Sequence, residues 1–400
     1  MTDAQAPEPP GYRPTIIHQA VLLAGLLSRI PPLLIGPALA GMAAASAWPW
    51  GQSVLQAAAG ALTLLTIVGD GVSLVLLPRW GRSFGPVTPP LLALALLRAG
   101  ISFALGALWP TRPALGLAVA LQLAVTGVHL YATWIEPFRL TVTRVDLVFS
   151  KLRGTAPLQV LHVSDIHFEG WTPRERRLVK VAQGLAPDLI LMTGDYLSLS
   201  SVNDPVSHDG VRDLLASLAS LAPTYAIIGS PPVDLPHVVP AIFEGLPIVW
   251  LLDEAADVCV KGHSIRLVGL RCTRDRRQDG RRLRHLLPDG AGEAFTVLLY
   301  HSPDLMPEAV GAGVDLYLAG HTHGGQLRLP LFGALVTSSD FWKRYEAGLY
   351  WEGRTSLYVS RGLGMEGLGA PRARFLAPPE LVLLTLYSHH ACWSSPTEVV

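Results

Sequence analysis

The chain has 400 residues, 50% of them hydrophobic and only 16% charged, with 31 acidic and 31 basic side chains. A zero net charge argues against a globally basic nucleic-acid-binding surface, and three scattered cysteines, Cys259, Cys272 and Cys392, make neither a disulfide framework nor a zinc ribbon. A mean hydropathy of +0.36 exceeds what a purely soluble chain can hide.

In chain order, 1–15 reads as a tail and 16–136 as a membrane region. A membrane-crossing helix needs about 20 mostly apolar residues. Four runs qualify: one within Val21 to Trp48, interrupted by Pro31, Pro32 and Pro37, then about Val54–Leu77, Leu91–Trp109 and Ala114–Ile135. With four spans, Arg13, Arg79, Arg82, Arg139, Arg144, Lys151 and Arg153 fall on one side and Arg112 on the other. The excess of positive charge places both termini, and with them the C-terminal domain, on the cytoplasmic side. Asp70 and Arg98 fall inside spans and read either as a helix–helix contact or as an intramembrane polar path. Residues 137–156 read as a juxtamembrane linker.

From 157 to 387 the texture changes. Strands are expected at Leu158–Val163, Leu189–Met192, Tyr225–Ile228, Ile248–Leu252, Ile265–Leu270, Thr296–Tyr300, Leu316–Leu318, Leu357–Val359 and Leu381–Leu386. Helices are expected at Val211–Leu221 and Leu305–Val310. Such alternation indicates a layered α/β domain. The remainder, 388–400, reads as a tail.

Polar residues gather where strands end, the usual place for sites in α/β proteins. They are Asp165 and His167, then Gly194-Asp195, then His301, then Gly320-His321-Thr322-His323. Alternate residues of an extended segment point the same way, so Asp-x-His and His-x-His can each face one metal. A mixed carboxylate and imidazole set suits Mn, Fe or Zn better than Mg or Ca.

These four elements in this order resemble the signature of the calcineurin-like metallophosphoesterase superfamily. The longer Gly-His-Thr-His-Gly-Gly-Gln form, Val359-Ser360-Arg361-Gly362-Leu363-Gly364 and Pro379-Glu380-Leu381 are similar to a membrane-attached subgroup related to UDP-2,3-diacylglucosamine hydrolases. The resemblance implies a four-layer αββα sandwich; the N-terminal bundle of about four transmembrane helices before it rests on hydropathy alone. It implies one or two divalent ions: Asp165, His167 and His323 on the first, Asp195 bridging, His301 and His321 on the second. Asp195 and His321 would act in catalysis, and a metal-activated hydroxide would attack phosphorus. The implied activity is hydrolysis of a phosphoester or pyrophosphate bond, in a phosphorylated small molecule or a lipid-linked or nucleotide-linked substrate at the membrane lipid.

One family element differs. Where the family carries Gly-Asn-His-Asp/Glu, this chain has Gly229-Ser230-Pro231-Pro232. Ser230 is a poor replacement for a carboxamide ligand, and Pro231 supplies neither an imidazole nor a backbone donor. Three readings stay open: an enzyme with a weakened second site, a site completed by Asp234 or His237, or a catalytically impaired relative with a binding or regulatory role. Ser230 and Arg361 are further candidates for substrate contact. The arginine-rich stretch Arg271 to Arg284 reads as a loop, either salt-bridged or facing anionic lipid. Lacking aromatic interleaving, it does not suit nucleic acid. His162 is expected to point away from Asp165. His208, His263 and His285 are expected at the surface, and His389, His390 and Cys392 in the tail.

Overall fold

The computed structural model describes residues 16–389 apart from 52, 367, 368, 370 and 371. The tail expected over 1–15, and His390 and Cys392, lie outside the described residues. Two compact units emerge: Ile16–Glu136 joined by Glu366–Phe375, and Pro137–Met365 joined by the chain from Leu376 on.

The first unit is helical: α1 (Ile16–Gly25), α2 (Pro32–Ala47), α3 (Ser53–Arg79), α4 (Thr88–Leu108) and α5 (Arg112–Leu130). Four segments, Pro32–Trp50, Val54–Arg79, Thr88–Leu108 and Arg112–Phe138, are long and apolar enough to cross a membrane. The first starts later than the apolar run beginning at Val21 suggests. Pro31 is the cap of α2 and Pro32 its first residue, where a missing N–H leaves no bond unmade. Arg98 is fully buried and donates from Nε and Nη2 to the two oxygens of Asp70, at 2.5 and 2.7 Å. Its Nη1 reaches the side-chain and main-chain oxygens of Gln122 at 2.9 and 3.0 Å. The polar pair is therefore a three-helix contact among α3, α4 and α5.

In the second unit come β1 (Thr141–Phe149), β2 (Leu158–Val163), α6 (Pro173–Leu185), β3 (Leu189–Met192), α7 (Pro205–Ala219), β4 (Thr224–Ala226), α8 (Val239–Phe243) and β5 (Ile248–Trp250). Next are β6 (Glu254–Val260), β7 (His263–Gly269), α9 (Arg276–Leu286), β8 (Phe295–Leu299), α10 (Met306–Gly311) and β9 (Leu316–Ala319). The last are β10 (Arg328–Leu329), β11 (Gly333–Ala334), β12 (Gly348–Glu352), β13 (Thr355–Val359) and β14 (Glu380–Ser388). One six-stranded sheet runs β1-β14-β2-β3-β4-β5 and another β12-β13-β9-β8-β7-β6; β10 and β11 form a small ribbon.

Strand alternation builds three apolar cores. Leu158 and Val160 of β2 pack with Val297, Leu299 and Leu318 between the sheets. Leu161 and Val163 turn outward onto Leu178 of α6 and Leu214 of α7. On the other outer face, Leu298 and Tyr317 meet Leu283 of α9 and Ala309 of α10. The layers run helix, sheet, sheet, helix.

Three expectations are corrected. The linker expected at 137–156 contains β1, in parallel register with β14 from Thr141↔Glu380 to Phe149↔Ser388. From Arg276 on, the arginine-rich stretch is helix α9, capped by Asp275, whose Oδ1 accepts from the backbone of Arg277 at 3.0 Å. Arginines of the stretch are ion-paired, Arg271 with Asp253 at 2.6 Å and Arg276 with Glu308 at 3.0 Å, as the salt-bridged reading has it. His263 is buried rather than exposed; its Nε2 donates to the Ala156 carbonyl at 2.7 Å and its Nδ1 accepts from Gly154 N–H at 3.2 Å.

Candidate metal centre

β2, β3 and β4 run parallel to one another, as do β7, β8, β9 and β13. The loops leaving their carboxyl ends carry every candidate ligand. The backbone there is unusual: Asp165, His167, Asp195, His321 and His323 all have φ between 42° and 69°. A non-glycine residue in this left-handed region costs about 1–2 kcal/mol and persists only where its surroundings fix it.

The bracing is visible. The main chain of Asp165 donates to the Gly194 carbonyl at 2.9 Å, and its own carbonyl accepts from Leu363 and Gly364 at 3.0 and 2.7 Å. Ser164 Oγ holds Asp165 Oδ2 at 2.5 Å, and His321 N–H donates to Asp165 Oδ1 at 2.9 Å. Asp234 lies behind the loops, not in the centre: its carboxylate accepts from the backbone of Asp195, Tyr196 and Gly229 at 2.8, 2.9 and 2.7 Å. Burial, reinforced by the charge of Asp195, pushes the Asp234 carboxyl up to about 7. His237 is exposed.

The six expected side chains converge in two groups, Asp165 with His167 and His323, and Asp195 with His301 and His321. In each, the possible ligand atoms lie within 4.8 Å of one another. Nε2 of His167 stands 3.1 Å from Nε2 of His323, which is 3.6 Å from Asp165 Oδ1. Nε2 of His167 is also 3.6 Å from Asp195 Oδ2, so Asp195 touches both groups. Donors bound at roughly 2.0–2.1 Å on neighbouring corners of a metal's coordination shell stand about 3.0–3.4 Å apart. The first group fits a divalent ion in spacing and in donor chemistry.

His301 Nδ1 donates to the Thr193 carbonyl at 2.7 Å, so Nε2 faces Asp195 Oδ2 at 3.1 Å. Burial alone would lower this imidazole, but Asp195 and Asp165 bring it up to about 9. Negative charge at the centre calls for a cation. The second group meets the spacing too, yet Arg274 complicates it: its Nη1 hydrogen-bonds Nε2 of His321. A guanidinium only donates, so this Nε2 accepts and the imidazole proton sits on Nδ1, the nitrogen turned toward His301. As arranged, the second group does not fit an ion bound through His321, the role that the resemblance implies for it.

Ser230 enters this group. Its N–H donates to Asp195 Oδ1 at 2.5 Å, and its Oγ lies 3.3 Å from Asp195 Oδ2, 3.2 Å from His301 Nε2 and 3.3 Å from His321 Nδ1. Arg361 turns elsewhere: its guanidinium pairs with Glu380 at 3.0 Å and with the Pro378 carbonyl at 3.2 Å. His162 faces between the sheets, 2.8 Å from Thr193 Oγ1, outside both groups as expected. Sequence reasoning missed Arg274, which belongs to no motif; the adjoining helix-cap pattern Asp275-Arg276-Arg277-Gln278 was the signal that a fixed turn precedes it. A cavity of about 1060 Å3 opens beside Pro231, lined by Phe243, Leu246, Ile248 and Trp250.

The comparisons with known proteins agree with this geometry. Residues 158–325 match the family described as calcineurin-like phosphoesterase. Phosphodiesterase YaeI of Escherichia coli is 31% identical over 278 residues, 67% of this chain and 96% of the relative. The uncharacterized metallophosphoesterase YkuE of Bacillus subtilis is 29% identical over 281 residues, 68% of this chain and 94% of its own. UDP-2,3-diacylglucosamine pyrophosphatase LpxG of Chlamydia trachomatis is 24% identical over 317 residues, covering 64% and 91%. The chain belongs to the calcineurin-like phosphoesterase family.

Proposed function

We propose that this protein is a membrane-anchored, metal-dependent phosphoesterase that hydrolyses a phosphoester or pyrophosphate bond, with its phosphoesterase unit on the cytoplasmic side. The observation that carries the reading is the convergence of two aspartates and four histidines from four loops at the sheet ends. Asp165, His167 and His323, with Asp195 beside them, would hold the ion. A bound Mn, Fe or Zn ion would supply Lewis acidity and a nucleophile at neutral pH.

The chain's own residues do the rest. Ser230 N–H and His301 orient the Asp195 carboxylate from two sides. The Thr193 carbonyl fixes the His301 ring. Pro231 brings no proton donor to the leaving oxygen, which suits a good leaving group such as a phosphate within a pyrophosphate. The apolar cavity beside Pro231 and the four apolar helices support a substrate with a lipid portion, and YaeI and LpxG are named as a phosphodiesterase and a UDP-2,3-diacylglucosamine pyrophosphatase.

The test is detergent-purified full-length protein with Mn2+ and a panel of generic diester, monoester and pyrophosphate substrates. Turnover well above that of Asp195→Ala is expected. Equal rates in the two proteins would remove the reading for those bonds. Pro231 also favours a second reading, a silent relative that binds without cleaving. In that case Ser230→Asn with Pro231→His switches on an activity that the natural chain lacks.

A further inference from the structure

Arg274 lies between β7 and α9, with its backbone in the left-handed region at φ +64°. Its side chain is 4% exposed. Nη2 donates to the Ser338 carbonyl at 2.8 Å and lies 3.5 Å from Asp304 Oδ2 and 3.4 Å from Asp340 Oδ1. Asp304 is itself locked, accepting from Ser302 Oγ at 2.7 Å, Ser339 Oγ at 2.6 Å and Asp340 N–H at 3.0 Å. The guanidinium is thus built into position, and its other arm ends on His321.

From that contact a donor chain follows. Arg274 donates to Nε2 of His321. Nδ1–H of His321 lies 3.3 Å from Ser230 Oγ and 3.2 Å from His301 Nε2, and the Ser230 hydroxyl faces Asp195 Oδ2 at 3.3 Å. A hydroxyl both accepts and donates, so serine can close this chain. The first link leaves a proton on Nδ1, where a second ion would need a lone pair, and the last link uses one on Asp195.

We infer that the second ion position is closed by Arg274, which supplies a fixed positive charge there, so that the protein works with one bound ion and one guanidinium. This rests on the metal-dependent reading above and deepens it. Arg274 acts as a positioning residue on His321. Guanidinium stays charged at any working pH, so its donation to His321 is permanent.

The experiment is metal counting. Full-length protein in detergent is loaded with Mn2+, desalted and analysed for metal per chain, and the Mn2+ electron paramagnetic resonance spectrum is recorded. The natural chain should hold one ion with the signal of an isolated Mn2+. Arg274→Met should hold two, with the signal of a spin-coupled pair. A gain of bound metal does not arise from a damaged fold, and the count on the natural chain requires no variant. Two ions in the natural chain overturn the inference, as does one ion in both proteins. No ion in the natural chain removes both this inference and the metal-dependent reading. One ion without turnover removes only the enzymatic reading.

Discussion

The carboxylate of Asp234 accepts the backbone N–H of Asp195 at 2.8 Å. The same carboxylate takes Gly229 N–H at 2.7 Å, so one buried side chain ties the loop after β3 to the loop after β4. Asp234→Asn keeps the shape but offers one acceptor oxygen where two are used. Residues that support ligands typically change metal affinity by about 10–100-fold when altered. We expect a loss of that size in a chelator competition titration; an unchanged affinity would show that the two loops hold their course without this carboxylate.

Gly229 has no room for a side chain. A Cβ there would lie 2.2 Å from Asp195 Oδ1 and 2.4 Å from Asp195 N. Neither atom is the free end of a flexible side chain. Gly229→Ala should therefore push Asp195 out of line, with at least about 10-fold weaker metal binding and an unchanged circular dichroism spectrum. Full metal affinity in this variant would mean that the loop after β4 relaxes more easily than its bracing implies.

His162 makes the stability of the phosphoesterase unit sensitive to acid. Desolvation by burial lowers its imidazole from 6.5 to about 3. The folded state thus holds it neutral while the unfolded chain binds a proton below pH 6.5. The stability is fully present above 6.5 and declines as pH falls from there toward 3. At pH 5 the loss from this one group is about 2 kcal/mol. His162→Gln removes the titration, so its thermal unfolding should be less pH-dependent than the natural protein's between pH 7.5 and 5. Parallel curves for the two proteins would refute the assignment.

Arg98 and Asp70 give a test in the helical unit. Both are buried, at 0% and 2% exposure, and joined by two hydrogen bonds. Removing one partner of a buried ion pair costs about 3–5 kcal/mol, because the other charge stays behind unpaired. Arg98→Leu should therefore melt well below the natural protein in detergent, and Asp70→Asn with Arg98→Leu should recover much of the loss. No recovery in the double variant would mean that the contacts of Arg98 to Gln122 dominate.

The sequence was most legible where a strand ended in a ligand. β2 and β3 begin and end where the apolar runs do, because each run is bounded by a charged or polar residue and buried on both faces. The candidate ligands were legible for the same reason: nothing else explains Asp, His and Gly at the close of an apolar strand. β1 was passed over, although Arg144 and Asp146 alternate with Val145, Leu147 and Phe149 as in a half-buried strand; its hydrogen-bonded neighbour, β14, lies far along the chain. α9 was hidden by seven arginines in the stretch from Arg271 to Arg284, though Leu283 is buried and Asp275 caps it. His263 looked like a surface residue because its partners are backbone groups of Gly154 and Ala156. Arg274 could not be placed at all from local signals, since its effect depends on where Ser338, Asp304 and His321 meet in space.

The pairing of β1 with β14 sets an order of events. Thr141 N–H bonds the carbonyl of Pro379, 238 residues later. At a synthesis rate of about 5–20 residues per second, the edge strand waits tens of seconds for its neighbour. The four apolar helices are all made before β1 leaves the ribosome, and the sheet that carries Asp165 and Asp195 is finished only once β14 has been made. A ribosome that stops early would release a helical unit attached to an unfinished phosphoesterase-family unit with an open sheet edge, the kind of edge that invites aggregation.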